Sequence, residues 1–131
     1  MNQEKQDKES DRYKLPFEKL DVWHKSKVLV KDVYAMTKEF PEHERYGFVS
    51  QMNRSALSIA SNIAEGASRT SRKEQAHFTE IAYGSLMELL CQIIIAHELS
   101  YISHDLLNEL RRKSEEIAKM LSAMRRFQTK D

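Results

Sequence analysis

The chain has few of the residues that interrupt or cross-link a fold, with three glycines, two prolines and one cysteine among 131 residues. The lone thiol, Cys91, lies in the apolar run MELLCQIII, which excludes a disulfide framework within the chain and fits a reducing compartment. No alternating segment bounded by turn residues predicts a strand. This scarcity favours long helices, and the length suits one domain.

Signals for membrane insertion, export and common enzyme chemistry are also missing. No apolar run approaches the roughly 18 residues of a membrane span, and the polar first 14 residues contain no secretion signal, so the expected location is the cytoplasm. The chain has no Gly-x-Ser-x-Gly, Walker or dinucleotide motif. Glu74 and His77 have the spacing of half a di-iron site, but no second copy occurs. We therefore expect no catalytic residues, cofactor, metal or small-molecule substrate.

Apolar periodicity predicts four amphipathic helices after a disordered polar tail at residues 1–14. With short connections, four such helices form an all-α, antiparallel up-down-up-down bundle over residues 15–131. The predicted helices run from between Pro16 and Asp21 to about Phe40, over about 46–65, over about 72–100, and from Ser103 to about Phe127.

Short polar signals predict where the helices begin and end. Ser71 with Glu74 forms a Ser-x-x-Glu capping box, and Ser103 is placed to cap the fourth helix. We expect Gly66 to adopt the left-handed conformation that closes the second helix.

The third helix is expected to have an unusually wide apolar surface. Ile93, Ile94 and Ile95 are consecutive, so they spread over more than half of the helix circumference. This suggests that the helix faces its own bundle and a neighbouring subunit, and the three residues are our candidate oligomer interface. The alternative is that Ile94 or Ile95 is a singly exposed residue.

The segment SIASNIAEGASR (58–69) places polar residues among the apolar positions of the second helix. Asn62 and Glu65 share a face, and a buried Glu65 carboxylate would need a partner such as Arg69, or Arg54 of another subunit. We predict that these residues fix the angle to the third helix, so that Glu65→Ala costs about 1–3 kcal/mol. A ligand site is the alternative. The predicted structural network comprises Gln51, Asn62, Glu65, Gly66, Ser85 and Glu88.

The charges are segregated along the chain, although the net charge is only +1. Residues 74–110 contain six acids and no Lys or Arg, whereas residues 111–130 contain seven bases and two acids. Such segregation can create one basic face that binds phosphates without reading base sequence. The alternative is an ordinary solvated helix face. The candidate nucleic-acid contacts are Arg54, Arg69, Arg72, Lys73, Arg111, Arg112, Arg125 and Arg126.

Three segments carry a family resemblance: FEKLDVW (17–23), FPEHERYGFVSQMNRSALSIASNIAEGASR (40–69) and IAYGSLMELLCQ (81–92). They closely resemble the four-helix-bundle family named for proteins encoded in intervening sequences of large ribosomal RNA genes. The most specific part is Ser58 to Gly66, and the fourth helix matches in pattern only. The resemblance implies an antiparallel four-helix bundle that assembles into a ring-like homopentamer.

A related branch resembles the accessory (variability determinant) proteins of diversity-generating retroelements, whose basic pentamers bind nucleic acid and partner a reverse transcriptase. The balance of 21 bases and 20 acids departs from such a strongly basic protein. Two functions stay open. The first is a non-enzymatic, homo-oligomeric accessory protein that binds RNA or DNA, with a reverse transcriptase as candidate partner. The second is a protein-interaction scaffold without nucleic-acid binding, which docks through its acidic third helix or its polar tail.

Overall fold

The computed structural model describes residues 14–130, and within this range the regular structure is entirely helical. Short 3-10 turns at Pro16–Lys19 and Glu42–Glu44 precede the first two long helices. Apart from Lys14, the predicted polar tail at 1–14 lies outside the described residues. The four long helices are α1 (Asp21–Thr37), α2 (Phe48–Ala67), α3 (Arg72–Glu98) and α4 (His104–Gln128).

The helices form a closed ring of neighbours. Consecutive helices pack against each other, and α4 returns to pack against α1. Short connections make consecutive helices antiparallel, so the fold is the predicted up-down-up-down four-helix bundle. This topology places the end of α2, the start of α3 and the end of α4 at the same end of the bundle.

Large aliphatic side chains from all four helices fill the core between them. Complete burial of one such side chain contributes roughly 1.5–3 kcal/mol relative to its exposure. The core is therefore the main source of stability of this fold. Its fully buried aliphatic side chains include Leu29, Val33, Met52, Ile59, Leu86, Leu89, Ile93, Leu110, Ile117 and Leu121.

Two of the predicted helix starts are confirmed by their hydrogen bonds. The Ser71 hydroxyl accepts from the backbone N–H of Glu74 at 3.1 Å, and the Ser103 hydroxyl accepts from that of Leu106 at 3.1 Å. The end of α1 differs, since the helix stops at Thr37 rather than at Phe40. Phe40 precedes a proline, and that position disfavours helical geometry.

Gly66 does not act as the predicted left-handed terminator. It lies inside α2, and no glycine between residues 14 and 130 has a positive φ. A Cβ atom at this position would lie 3.0 Å from the Cβ of Phe78 on α3. Gly66 therefore allows α3 to approach the last turn of α2 closely.

The left-handed residue is instead Ser100, with φ 64°, just after α3. The Tyr101 N–H donates to the Ala96 carbonyl and the Ser100 N–H to the His97 carbonyl, both at 2.9 Å, which is the Schellman pattern. Glycine adopts this conformation without the steric cost that a side chain incurs. We expect Ser100→Gly to raise the free energy of unfolding by about 1 kcal/mol in urea denaturation, and a loss of stability would contradict this account.

The helix α3 is more apolar than its own bundle requires. By length and composition it could cross a membrane, contrary to the expectation that no segment qualifies, and only 33% of its most apolar 18-residue window is buried. Ile93 is fully buried, Ile94 is half-buried against the core and Ile95 is 44% exposed. Ile93 therefore belongs to the core and is unavailable to the predicted oligomer interface, whereas Ile95 is available.

Candidate functional site

Five of the eight predicted phosphate contacts gather at the end of the bundle where α3 begins and α4 ends. Three grooves lie side by side there. Lys73 and His77 line both the first and the second groove, and Glu80 and Thr129 line both the second and the third. We call the bases that line these grooves the basic end, and they include Lys130, which the sequence prediction omitted. The basic end comprises Arg69, Arg72, Lys73, Arg125, Arg126 and Lys130.

Some of these bases already have partners. Arg69 pairs with Glu65 at 2.8 Å and lies 4.8 Å from the centre of the Phe78 ring, while Arg125 pairs with Glu80. The Arg72 guanidinium stacks over Phe127 at 4.8 Å.

Four bases of this end are free to bind an external anion. Arg72, Lys73, Arg126 and Lys130 have no ion pair within the described part of the chain, and all four are exposed. Lys130 lies two residues past the end of α4, where helical spacing no longer predicts neighbours, so its place at this end comes from the structure.

The structure separates Arg111 and Arg112 from the basic end. About 15 residues of helix, or roughly 22 Å, lie between them and Arg126. Arg111 pairs with Glu115 at 3.2 Å. Glu116 pairs with Lys25 at 2.8 Å, and it also attracts the nearby Arg112 electrostatically. These two arginines therefore belong to a charge-compensated surface.

The same surface contains a lysine that joins α4 to α1. Lys113 donates to Asp32 at 2.7 Å and lies 3.3 Å from Glu109. The hydrogen bond to Asp32 raises the pKa of Lys113 above its usual value. This ammonium is engaged within the bundle and is not a free phosphate contact.

Arg54 lies in a third place, a cleft of about 370 Å³ between α2 and α3. Antiparallel packing brings two distant segments of the chain together there, which no spacing in the sequence could show. We call it the α2–α3 cleft. It is lined by Gln51, Arg54, Ser55, Ser58, Ser85 and Glu88.

Within this cleft, a short hydrogen-bond network links α2 to α3. The Asn62 side-chain N–H donates to the Ser58 carbonyl at 2.8 Å and to the Ser58 hydroxyl at 3.0 Å. The Ser58 and Ser85 hydroxyls are hydrogen-bonded at 2.9 Å. The polar contact between the helices therefore passes through two serines.

Glu65 takes no part in that hydrogen-bond network, and the predicted burial of its carboxylate is wrong. Its side chain is 51% exposed and pairs with Arg69 one turn later. Exposed i, i+4 pairs contribute only about 0.3–0.5 kcal/mol. The large effect expected of Glu65→Ala from the sequence is thus not supported by the geometry.

We now expect Glu65→Ala to lower the free energy of unfolding by less than about 0.5 kcal/mol. Asn62→Ala should lower it by about 1 kcal/mol, because Asn62 is half-buried and makes two hydrogen bonds. Urea denaturation of both variants at one protein concentration checks this order. A larger loss for Glu65→Ala would show that the carboxylate is more important than its exposure indicates.

The structure gives no support for a metal site among the residues that it describes. Over residues 14–130, no group of three or more His, Cys, Asp or Glu side chains could hold a metal ion. Glu74 and His77 line one groove of the basic end.

Comparisons with known proteins agree with this architecture. Residues 18–123 match the family described as 23S rRNA-intervening sequence protein. One similar solved structure is the crystal structure of a protein with unknown function from the S23 ribosomal protein family of Bacteroides thetaiotaomicron VPI-5482. It is 24% identical, with a TM-score of 0.74, and the alignment covers 79% of this chain and 97% of that one. No curated protein matches.

Proposed function

Because the chain belongs to the 23S rRNA-intervening sequence protein family, we propose that it is a non-enzymatic, cytoplasmic homo-oligomer that binds RNA through its basic end. The observation that carries this proposal is the convergence of six bases on adjoining grooves, from the α2–α3 connection, the start of α3, the end of α4 and the residues just after α4. Three acids, Glu65, Glu74 and Glu80, lie among them, which leaves a local charge of +3 on a chain of net charge +1.

The chemistry of this surface suits a phosphate backbone. Lys and Arg neutralise phosphates without reading the base sequence, and the amides that begin α3 also favour anions. Phe127 is 63% exposed beside Arg72 and offers a ring on which an unpaired base can stack. Single-stranded RNA is therefore the ligand class that this surface fits best.

Oligomerisation would strengthen this binding. A single basic end offers few free charges, but a cyclic assembly would repeat them once per subunit, so several weak contacts would act together. The apolar excess on α3 supports an assembly of this kind, and the ring-like homopentamer implied by the family resemblance is the form that we propose.

A reverse transcriptase of a diversity-generating retroelement is the protein partner that we propose for this oligomer. The support is the family resemblance alone. A reverse transcriptase gene and a template repeat beside the gene for this chain would favour this partner. Their absence would remove the reverse transcriptase from the proposal and leave RNA binding to be tested separately.

The alternative function is a protein scaffold without nucleic-acid binding, and one observation favours it. The exposed apolar side chains on α3, including Ile81, Met87 and Ile95, form a surface that another protein could cover. We assign this surface below to a second copy of the chain.

Ultraviolet cross-linking of the purified protein to a single-stranded RNA, followed by mass spectrometry of the peptides, tests where RNA lies. We expect cross-links near Phe127, Phe78 and His77, which surround the bases of the basic end. Cross-links confined to the charge-compensated surface around Arg111 and Lys113 would contradict this site. No cross-links at all would favour the scaffold.

A further inference from the structure

The α2–α3 cleft adjoins a buried polar group that its own chain does not satisfy. Gln92 is only 7% exposed, and its amide N–H lies 3.5 Å from a Glu88 oxygen, which is a long contact. The amide oxygen of Gln92 is buried and has no hydrogen-bond partner among residues 14–130. Buried polar atoms rarely lack partners in proteins, so the Glu88–Gln92 pair is incompletely hydrogen-bonded among the described residues.

The register of the two helices places Gln92 at one end of this cleft. Ser58 on α2 contacts Ser85 on α3. Gln51 lies seven residues before Ser58, and Gln92 lies seven residues after Ser85. Because the two helices are antiparallel, seven residues cover the same distance in the same direction on both, which places Gln92 level with Gln51. Gln51 and Glu88 both line the cleft. The unpaired oxygen is therefore close to an exposed carboxylate.

Glu88 is itself without a partner of opposite charge. It makes no ion pair within the described residues, although Arg54 lines the same cleft. Residues 74–110 contain no Lys or Arg, so α3 supplies no cation nearby. The cleft therefore presents the Glu88 carboxylate to an incoming donor, and the buried Gln92 amide lies against that carboxylate.

Exposed apolar side chains flank this carboxylate. Ile81 and Ile95 are 38% and 44% exposed, and their spacing from Ser85 and Glu88 puts them on the same side of α3. An occupant of the cleft must therefore combine apolar contacts with a central cation.

The outer face of α1 has this combination. Val28 and Tyr34 are 47% and 40% exposed, and Lys31 lies between them on the face opposite the buried residues of α1. Lys31 makes no ion pair with any other described residue. Among residues 14–130, α1 packs against α2, α4 and the Pro16–Lys19 turn, and no helix in this range covers its outer face.

We propose that the outer face of α1 from a second copy of this chain docks in the α2–α3 cleft, with Lys31 donating to the Glu88 carboxylate. Val28 and Tyr34 of that copy cover the apolar side chains beside the cleft. The two contacting surfaces differ, so the contact is heterologous, and repeated around an axis it closes into a ring. This inference rests on the homo-oligomer of the proposed function and names the contact that builds it.

Charge exchange between the two surfaces tests the contact, with the molar mass measured by light scattering over a range of concentrations. Glu88→Lys and Lys31→Glu should each weaken association by on the order of 30-fold or more, because each leaves a desolvated charge without its partner. The double variant should recover the oligomer. Glu98→Lys makes the same charge change on an exposed acid of α3 outside the cleft and should keep the wild-type mass.

The outcomes separate this inference from the proposed function. If the wild-type protein is monomeric at all concentrations, the homo-oligomer fails and the docking contact fails with it. If the wild-type protein is oligomeric and Glu88→Lys retains its mass, the docking contact alone is wrong. Circular dichroism of each variant confirms that it is folded. Glu88→Gln provides a neutral check, since it should weaken association, and an unchanged mass would contradict the role of the Glu88 carboxylate.

Discussion

Simultaneous replacement of Arg72, Lys73 and Arg126 by alanine is expected to weaken RNA binding on the order of 100-fold. These bases line the grooves of the basic end and have no ion pair within residues 14–130. An exposed pair of opposite charges contributes up to about 1 kcal/mol, so three contacts with phosphate account for this loss. Fluorescence anisotropy with a labelled single-stranded RNA at low salt measures it.

The matched control is the triple variant of Arg111, Arg112 and Lys119 to alanine. It removes the same charge from another part of α4, where Arg111 is paired with Glu115. We expect it to change the RNA affinity by about threefold or less, through the general field of the protein alone. Equal losses in the two triple variants would mean that net charge, and not the basic end, determines binding.

Gly66→Ala and Gly84→Ala are expected to change stability in opposite directions. Gly66→Ala should lower the free energy of unfolding by about 1–3 kcal/mol, because its new methyl group would meet Phe78 Cβ at 3.0 Å and overpacking in a close contact is costly. The Phe78 Cβ is fixed to the backbone of α3, so no side-chain rotation can relieve the contact. Gly84 has nothing within 4 Å of its added methyl group.

Gly84→Ala should therefore raise the free energy of unfolding by about 0.5–1 kcal/mol, the usual gain when alanine replaces glycine inside a helix. Urea denaturation of both variants at one protomer concentration measures the difference, since association also contributes to apparent stability. A stabilising Gly66→Ala would show that α2 and α3 can separate at this point without cost.

The sequence predicted the order and extent of the helices because the information is local. Apolar residues recur at helical spacing, and Ser71 and Ser103 cap their helices through bonds to residues three positions later. The role of Gly66 could not be found in this way. A glycine near the end of a helix looks the same in the sequence whether it ends the helix or lets a neighbouring helix pack closely. Only the contact between Gly66 and Phe78 of α3 shows that the second role applies here.

The candidate site was predictable only in part, for the same reason. Arg72 and Arg126 are 54 positions apart in the sequence, and only antiparallel packing of α3 and α4 brings them to one end. Glu65 was assigned to the interior from its apolar neighbours, although its own position on α2 is exposed. The docking contact depends on Glu88, whose place in a cleft between α2 and α3 is visible only in three dimensions.

The salt dependence of RNA affinity, measured on protein of known oligomer mass, tests the central claim most directly. If the basic end binds the RNA backbone, log affinity falls linearly with log salt, with a slope of about −0.7 for each phosphate contact on a single strand. Four free bases per engaged subunit predict a slope of about −3 or steeper, and the Arg72, Lys73 and Arg126 variant should lose most of it. Absence of binding at low salt, or an affinity that salt does not change, would contradict the account.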